Sequence, residues 1–406
     1  MPFAKKSVVD FRAFEYIFLA CLVTLSVILQ RVLTSGCCVG PDLVAYLEIA
    51  QMQATQQSFW TSPEAFKENF WAMGYPTALH YILSLSGDSL VIVQWIQMVM
   101  AASLGIGAWF LAFRMGIKVR LLAASIVALS PNTFWTGNSF GYEILLAWLL
   151  TFSLSLSWWA SRNEGNISIR VQLVASGIAG LLLGLGVLTQ SRAIVVTPVI
   201  FYLLWRNSRA RAWWGLAGFL IATIPWALRN LFVLGTPNIF TGNGAYNLWI
   251  GNNPETTNGG SMMRPLSMPA GSSEQLSQAL TFIISQPEIA INFVFRKTMR
   301  MWEPLYLYPE LIAPGIGRTL IHVATAALSV LILVGFLVFL GGRLFTRPPT
   351  VPDVAPLAVF VLLFYLSHLP FIAEPRFMAS VYPVTAVVSV STLFALVVRF
   401  RKLRQR

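Results

Sequence analysis

Apolar segments of membrane-spanning length recur from residue 14 to residue 398, and short polar or basic stretches separate them. A helix needs roughly 18 to 20 apolar residues to cross a bilayer. By this criterion the pattern predicts about ten spans. Their bounds are 14–33, 89–113, 121–138, 139–160, 172–189, 192–205, 213–234, 317–340, 354–372 and 379–398. We therefore expect an all-helical, multi-pass membrane protein in which residues 1–406 form one domain, without a separate soluble domain.

Two longer polar stretches, 34–88 and 235–315, each follow an odd-numbered span and therefore lie on the same side of the membrane. In the first, apolar residues recur at helical spacing with Gln and Glu opposite them, which predicts a helix lying in the interface plane. Its apolar positions are Leu43, Tyr46, Leu47, Ala50 and Ala54. The proline-led segment 75–83 is too short to span and predicts a second interfacial helix. We expect the function to reside in these two loops.

The composition agrees with a membrane protein, because 56% of the residues are hydrophobic and only 11% are charged. The net charge of +12 comes from short basic clusters between spans, not from one continuous stripe, so it does not indicate nucleic-acid binding. If the N-terminus is cytoplasmic, every inner loop obeys the positive-inside rule. The charge pattern therefore predicts cytoplasmic termini and places both long loops outside.

Two carboxylates are predicted at the outer membrane surface, Asp42 after the Gly40-Pro41 turn and Glu143 between spans three and four. Asp42 could simply cap a helix, and Glu143 could be a carboxylate at a helix start. An ionisable group at membrane depth nevertheless costs about 2.5 to 3.5 kcal/mol and marks a functional candidate. Such a pair suits proton transfer from a hydroxyl or coordination of a divalent cation.

Arginines at the outer ends of the spans supply the opposite charge. Arg192, Arg229 and Arg376 are candidate phosphate ligands, because a guanidinium binds phosphate oxygens in a bidentate manner. A phosphate at this depth would belong to a lipid. His368 lies near Arg376 in the sequence and is a further candidate. Each arginine could instead extend to lipid headgroups, and we favour that interpretation for Arg318.

The outer segment 241–260 is rich in glycine, asparagine and aromatic residues. Amides donate and accept hydrogen bonds and aromatic faces stack on sugars, so such a segment can line a carbohydrate site. Its candidates are Tyr246, Asn247, Asn252 and Asn253, to which we add Tyr46 of the first loop. The alternative is ordinary turn chemistry, since Asn-Gly and Gly-Asn steps are common in turns.

Together these segments resemble GT-C-fold membrane glycosyltransferases that use polyprenyl-phosphate sugars, namely the bacterial relatives of protein O-mannosyltransferases and aminoarabinose transferases (glycosyltransferase family 39 and the Rgt-like group). The resemblance depends on the order of motifs and covers nearly the whole chain. In order, the motifs are Asp42…Tyr46…Ile49-Ala50, Tyr75-Pro76…Leu79, Ser130-Pro131…Glu143, Leu188–Arg192 with Pro198, Pro225–Asn230, Tyr246–Pro254 and Glu374–Phe377 with Pro383. The chain departs from relatives at Leu43, where eukaryotic-type members have a second acid, and at Gln94, where many carry arginine.

The resemblance implies an inverting transfer of a sugar from a polyprenyl phosphate to an acceptor hydroxyl, on the outer face of a bacterial plasma membrane. Asp42 would be the base, and Glu143 would position the acceptor or hold a metal. Arg192 and Arg376, then His368 and Arg229, would bind the lipid phosphate. The acceptor is a protein, a lipid or a glycan. Two other functions remain open, a flippase or transporter for lipid-linked sugars and a surface-polysaccharide polymerase or ligase.

Overall fold

A computed structural model describes residues 4–34, 36–37, 39–40, 42–55, 70–161, 167–206, 208–235, 239–255, 269, 271–304, 314–345 and 354–405. In chain order the helices are α1 (Ala4–Leu33), α2 (Leu43–Thr55), α3 (Gly74–Ser86), α4 (Leu90–Leu111), α5 (Ile117–Ala128), α6 (Pro131–Asn138), α7 (Tyr142–Ala160), α8 (Ile169–Thr189), α9 (Thr197–Trp205), α10 (Arg209–Leu234), α11 (Gly244–Gly251), α12 (Ser272–Ser285), α13 (Pro287–Met301), α14 (Ile316–Phe345), α15 (Ala355–Leu366), α16 (Pro375–Ala379) and α17 (Tyr382–Arg404). A 3₁₀ helix, Ser191–Val196, directly precedes α9.

Seven helices in the described part of the chain are long and apolar enough to cross a membrane. They are α1, α4, α7, α8, α10, α14 and α17. The other three predicted spans are shorter or interrupted: the third is divided into α5 and α6, the sixth is the 3₁₀ helix with α9, and the ninth is α15. The multi-pass helical architecture is confirmed, and the count of about ten full-length spans is not.

The third predicted span is interrupted at Pro131. Proline lacks an N–H and its ring collides with the preceding helical turn, so α5 ends and a new helix begins. The hydroxyl of Ser130 accepts a hydrogen bond from the Asn132 N–H at 3.1 Å and caps α6. The residues of α6 after Pro131 are buried, including polar Asn132 and Asn138. This short helix therefore runs inside the protein and directs the chain into the start of α7.

Helices α8 and α10 approach each other closely because glycines face one another. A Cβ on Gly180 would lie 1.8 Å from the Gly215 carbonyl oxygen, and one on Gly218 would lie 1.9 Å from that of Gly177. Small residues at such an interface let two backbones pack closely, which is how helices associate within lipid. The pair holds the end of α8, from which the chain turns into the 3₁₀ helix.

Both predicted helices of the first loop are present, as α2 and α3, and the segment between them lies outside the described residues. Tyr46, Ile49 and Ala50 of α2 are buried, and Pro76 lies in the first turn of α3. In the second loop, α11, α12 and α13 form three consecutive helices, and α13 packs against α16. The two loops thus add structured elements beside the spanning helices.

Candidate active site

A short backbone pairing brings the first loop against the connection between α6 and α7. Val39 forms a parallel bridge with Ser139, and the Phe140 N–H donates to the Val39 carbonyl oxygen at 2.8 Å. Gly40 is required at this approach, because a Cβ there would lie 2.1 Å from the Phe140 carbonyl oxygen. Asp42 and Glu143 follow closely on the two paired segments, so the pairing brings their carboxylates to the same place.

Arg376 joins the two carboxylates. Its Nη1 donates to Asp42 Oδ2 at 2.7 Å and lies 3.2 Å from Glu143 Oε1. The side chains of Asp42, Glu143 and Arg376 are only 11%, 2% and 7% exposed. Burial opposes the charge of Arg376, but Glu143 and Asp42 outweigh it and hold the pKa of Arg376 well above its usual value. We call these three residues the carboxylate cluster.

The two carboxylates differ in how their oxygens are used. The Asp42 side chain bonds to Arg376, while the Asp42 backbone carbonyl accepts the Tyr46 N–H at 3.1 Å as α2 begins. No hydrogen bond of regular geometry reaches either Glu143 oxygen from the described residues. Gly141 makes room for this carboxylate, since a Cβ there would lie 2.2 Å from Glu143 Oε2. Glu143 therefore retains the capacity to accept hydrogen bonds from a bound hydroxyl.

Arg192, at the start of the 3₁₀ helix, lies beside the carboxylate cluster. Its guanidinium carbon is 4.5 Å from the ring centre of Phe371 and 5.8 Å from that of Phe377. The guanidinium of Arg376 lies 5.6 Å from the same Phe377 ring. Within the described residues, no carboxylate forms an ion pair with Arg192. Its N–H groups are therefore available to an anion, while the aromatic rings fix its position.

His368 is fully buried in the turn after α15. Its Nδ1 lies 2.8 Å from the Phe364 carbonyl oxygen, and its Nε2 has no hydrogen-bond partner among the described residues. Because a carbonyl only accepts, Nδ1 carries the proton in the neutral ring and Nε2 is an acceptor. Neutral His368 thus offers a lone pair, which suits a hydroxyl better than a phosphate oxygen.

Arg229 lies within α10 and is fully buried. Its described contacts are with residues of its own helix, the Trp226 ring at 4.8 Å and Asn230 Oδ1 at 3.4 Å. None of these contacts reaches the carboxylate cluster. Of the four phosphate candidates, Arg192 and Arg376 are therefore the two whose guanidinium groups lie near the same ring, that of Phe377, at the carboxylate cluster.

Aromatic side chains form a row beside Asp42. The Tyr46 ring lies 5.1 Å from Tyr75 and 5.5 Å from Trp71, Phe70 lies 5.5 Å from Trp71, and Tyr246 lies 5.6 Å from Phe70. Burial, with Asp42 and Glu143 nearby, raises the pKa of Tyr46 well above its usual value, so its hydroxyl stays neutral. The row links Tyr46 of the first loop with Tyr246 of the second.

Two of the asparagines predicted to line a sugar site, Asn252 and Asn253, instead form hydrogen bonds with nearby backbone groups. Asn252 donates to the carbonyl oxygens of Leu248 and Pro370 at 2.8 and 2.6 Å. Asn253 donates to the Trp249 carbonyl oxygen at 2.7 Å and accepts the backbone N–H of Glu255 at 2.9 Å. Both amides are nearly fully buried and serve to hold the outer segment.

Asn247 is half-buried in the middle of α11, one residue after Tyr246. Its backbone N–H donates to the Asn243 carbonyl oxygen at 2.9 Å, as expected in the first turn of a helix. This bond leaves its side-chain amide available. Of the three asparagine candidates, Asn247 is therefore the one that stays a candidate for binding a carbohydrate.

The sequence also predicts Asp42 and Glu143 as candidate ligands of a divalent cation. The described residues contain no group of three or more His, Cys, Asp or Glu side chains that could hold a metal ion. The Arg376 guanidinium already lies between the two carboxylates. A divalent cation held by Asp42 and Glu143 would have to share them with this positive charge, and metal binding by the two residues stays a prediction.

An apolar groove of about 300 Å³ lies between α3, α7, α8 and α10. Its walls include Met73, Thr77, Leu145, Leu188 and Trp226. Leu145 is two residues after Glu143, and Leu188 precedes Arg192 by four. The groove is therefore lined in part by α7, which carries Glu143, and by α8, which leads to Arg192, and it offers an apolar surface on which an alkyl chain can pack.

Lys297 of α13 was not expected from the sequence. The buried positions of α13 are Ala290, Phe293, Lys297 and Met301, so the lysine occupies the apolar face of the helix. This mismatch between residue type and helical face is visible in the sequence and could have identified Lys297.

The fold is the all-helical, multi-pass GT-C type, as the sequence predicted. Solved structures of an oligosaccharyltransferase are similar to it. One is the Archaeoglobus fulgidus oligosaccharyltransferase AglB in complex with an inhibitory peptide and a dolichol-phosphate, with a TM-score of 0.53 and 13% identity over 97% of this chain and 52% of AglB. The apo form of the A. fulgidus enzyme gives a TM-score of 0.54 and 14% identity over 96% and 52% of the two chains.

A third structure, ArnT from Cupriavidus metallidurans bound to undecaprenyl phosphate, has a TM-score of 0.47 and 13% identity, covering 94% of this chain and 77% of ArnT. The chain thus spans about half the length of the oligosaccharyltransferase. No family model and no curated protein sequence matches it. At these identities the comparisons establish the fold, and the reaction is inferred from the site.

Proposed function

We propose that this protein is an inverting glycosyltransferase that moves a sugar from a polyprenyl-phosphate donor to an acceptor hydroxyl, at the outer face of a bacterial inner membrane. The observation that carries this proposal is the buried carboxylate cluster with Arg192 beside it. A base and a cation without a described carboxylate partner then lie next to each other, and an apolar groove runs between helices that carry or lead to site residues. The GT-C fold supports lipid-linked sugar transfer as the class of reaction.

In this mechanism Asp42 accepts the proton of the acceptor hydroxyl while the hydroxyl oxygen attacks the anomeric carbon. The bond between that carbon and the phosphate oxygen breaks, and the lipid phosphate leaves with the bonding electrons. Because a phosphate is a stable anion, one base and cationic stabilisation of the leaving group suffice. An inverting glycoside hydrolase, in contrast, needs a second carboxyl group to protonate its leaving oxygen.

The other side chains divide the remaining roles. Glu143 accepts a hydrogen bond from the acceptor, since its oxygens are buried without regular hydrogen bonds. Arg192 binds the lipid phosphate and the neighbouring groove takes the first part of the polyprenyl chain. Arg376 holds the two carboxylates in place, which we favour over direct phosphate binding because both of its described ion pairs are with them. Tyr246, which is partly exposed, offers a stacking surface to a sugar, and the aromatic row joins it to the buried Tyr46.

The purified protein provides the test, with a panel of polyprenyl-phosphate sugars and assays for transfer and for slow donor hydrolysis. Asp42→Asn removes the base and keeps the shape, so turnover should fall by about a hundredfold or more. The matched control is Asp88→Asn, on an exposed outer-loop residue with a backbone φ of 61° that asparagine also adopts. Its turnover should stay within about twofold of the original protein.

A chelator should leave turnover unchanged, because Arg376 occupies the space between the carboxylates. Full turnover in Asp42→Asn would overturn the base assignment. Loss of turnover with chelator that an added divalent cation restores would overturn the metal-free arrangement. Donor binding without turnover of any donor, unaffected by Asp42→Asn, would favour a transporter of lipid-linked sugars instead.

A further inference from the structure

Lys297 is a fully buried lysine without a described carboxylate partner. It lies in α13 and none of its surface is exposed. Its Nζ donates to Asn252 Oδ1 and to the Leu369 carbonyl oxygen, both at 3.2 Å. Burying an ammonium group against neutral acceptors is costly, so a lysine at such a position is better explained by a role than by stability.

Both hydrogen-bond partners of Lys297 belong to, or bind, the turn between α15 and α16. Leu369 belongs to this turn, and Asn252 donates through Nδ2 to the next carbonyl oxygen, that of Pro370, at 2.6 Å. Two successive carbonyl groups of the turn are therefore bound from the outer segment. Asn252 is itself oriented by Lys297, because the ammonium group fixes which end of the amide faces the turn.

Further contacts hold the same turn along its length. Arg300, one helical turn after Lys297, donates to both carboxylate oxygens of Glu374 at 3.2 and 3.3 Å. The Thr298 and Tyr365 hydroxyls are 2.6 Å apart at the start of the turn. Helix α13 therefore contacts the chain at both ends of the turn, at Tyr365 and at Glu374, and Lys297 makes the buried contact between them.

We propose that Lys297 is a positioning residue that fixes the 367–374 turn and thereby presents Arg376 of α16 to Asp42 and Glu143. The turn also carries Phe371, on which Arg192 stacks. A shift of this turn would move both arginines relative to the carboxylates, and a misplacement of about 1 Å can cost a hundredfold in rate. The activity part of this inference rests on the proposed transfer reaction, and the structural part does not.

Burial lowers the pKa of Lys297 to about 8. The described ionisable groups on the elements around it are Tyr365 of α15, His368 and Glu374 of the turn, Arg376 of α16, and Arg300 of α13, which pairs with Glu374. Below its pKa, Lys297 forms charge-assisted hydrogen bonds, and above it only the weaker bonds of a neutral amine. Its hold on the turn should therefore weaken as the pH rises through about 8.

Amide hydrogen exchange tests the structural part directly, on the full-length protein at one fixed pH. The backbone N–H groups of His368, Leu369 and Phe371 belong to the turn and donate hydrogen bonds to the end of α15 or within the turn, so their exchange reports its order. In Lys297→Met their exchange should accelerate about tenfold. The matched control is Arg296→Met, one residue away on the exposed face, where the described hydrogen bond of Arg296 is to Asn292 of its own helix at 3.2 Å. It should leave the exchange of the turn unchanged.

The pH profile of kcat tests the positioning role and includes a rescue. In the original protein kcat should fall above about pH 8. Lys297→Arg should keep its kcat to at least one pH unit higher, because a guanidinium stays protonated. Lys297→Met should lower kcat about tenfold or more below pH 8, with KM within about threefold.

An identical alkaline fall in Lys297→Arg, or unchanged exchange in Lys297→Met, would overturn the positioning role. If Lys297→Met does not fold, the pH profile of kcat in Lys297→Arg still tests the positioning role. If the original protein turns over no donor, the proposed transferase function fails, while the exchange comparison of Lys297→Met with Arg296→Met still tests the hold on the turn.

Discussion

At the scale of single residues, the positive and negative charges of the carboxylate cluster do not balance. With both carboxylates ionised, the carboxylate cluster carries one negative charge more than Arg376 neutralises. In a buried site such a charge acts strongly on any charge that develops nearby. Sugar transfer develops positive charge at the anomeric carbon, as the oxocarbenium-like transition states of glycosidases do. In the proposed transfer Arg192 is engaged by the lipid phosphate, so the excess negative charge of the carboxylate cluster favours the transition state over the neutral sugar.

The two arginines beside Phe377 should have separable effects. Arg192→Met removes free guanidinium donors, so it should weaken the binding of polyprenyl phosphate about tenfold or more. Arg376→Met removes the partner of both carboxylates and should abolish turnover, while binding of polyprenyl phosphate stays within about threefold. Equilibrium binding and single-turnover assays on both variants measure this difference.

Arg318→Met is the control for this pair, because Arg318 is predicted to face lipid headgroups; it should change neither quantity. If Arg376→Met weakens lipid-phosphate binding and Arg192→Met does not, the phosphate role belongs to Arg376. The assignment of the two arginines would then have to be reversed.

At the scale of secondary-structure elements, the hydrophobic pattern predicted the long helices well and the site geometry less well. Hydropathy averaged over 121–138 does not include the effect of Pro131 on the backbone. The prediction therefore treated α5 and α6 as one span. The bridge between Val39 and Ser139 joins residues a hundred positions apart, and no local pattern specifies that register. The sequence thus predicted Asp42 and Glu143 as outer carboxylates, but not their shared partner Arg376.

The pairing of the first loop with the α6–α7 connection should be sensitive to one methyl group. In Gly40→Ala the Cβ would lie 2.1 Å from the Phe140 carbonyl oxygen, so the two segments must separate. This moves Asp42 relative to Glu143, and kcat should fall about a hundredfold. Gly317→Ala, where no described atom outside its own helical turn lies within 4 Å of the new Cβ, should leave kcat unchanged. Steady-state kinetics of both variants checks this, and normal kcat in Gly40→Ala would show that the pairing does not set the site.

At the scale of the whole molecule, the site groups occupy one end of the helices. Asp42 follows α1, Glu143 begins α7, Arg192 follows α8 and Arg376 precedes α17. Since successive spans alternate in direction, all four positions fall at the same membrane face. Basic residues occupy the opposite end, including three in the last turn of α17. A site confined to one face suits transfer between two substrates at that surface, whereas a transporter needs access from both faces.

This arrangement predicts the sidedness of the protein in cells. In a variant whose three cysteines, Cys21, Cys37 and Cys38, are changed to Ser, single cysteines are introduced as Asp88→Cys or Gln405→Cys, both at exposed positions. A membrane-impermeant maleimide should label Asp88→Cys in intact spheroplasts and Gln405→Cys only after permeabilisation, because the basic end of α17 stays in the cytoplasm. The cysteine-free variant is the control for background labelling. The reverse pattern would place the carboxylate cluster in the cytoplasm, where the donor would have to be bound before it crosses the membrane, and an outward-facing transferase would be excluded.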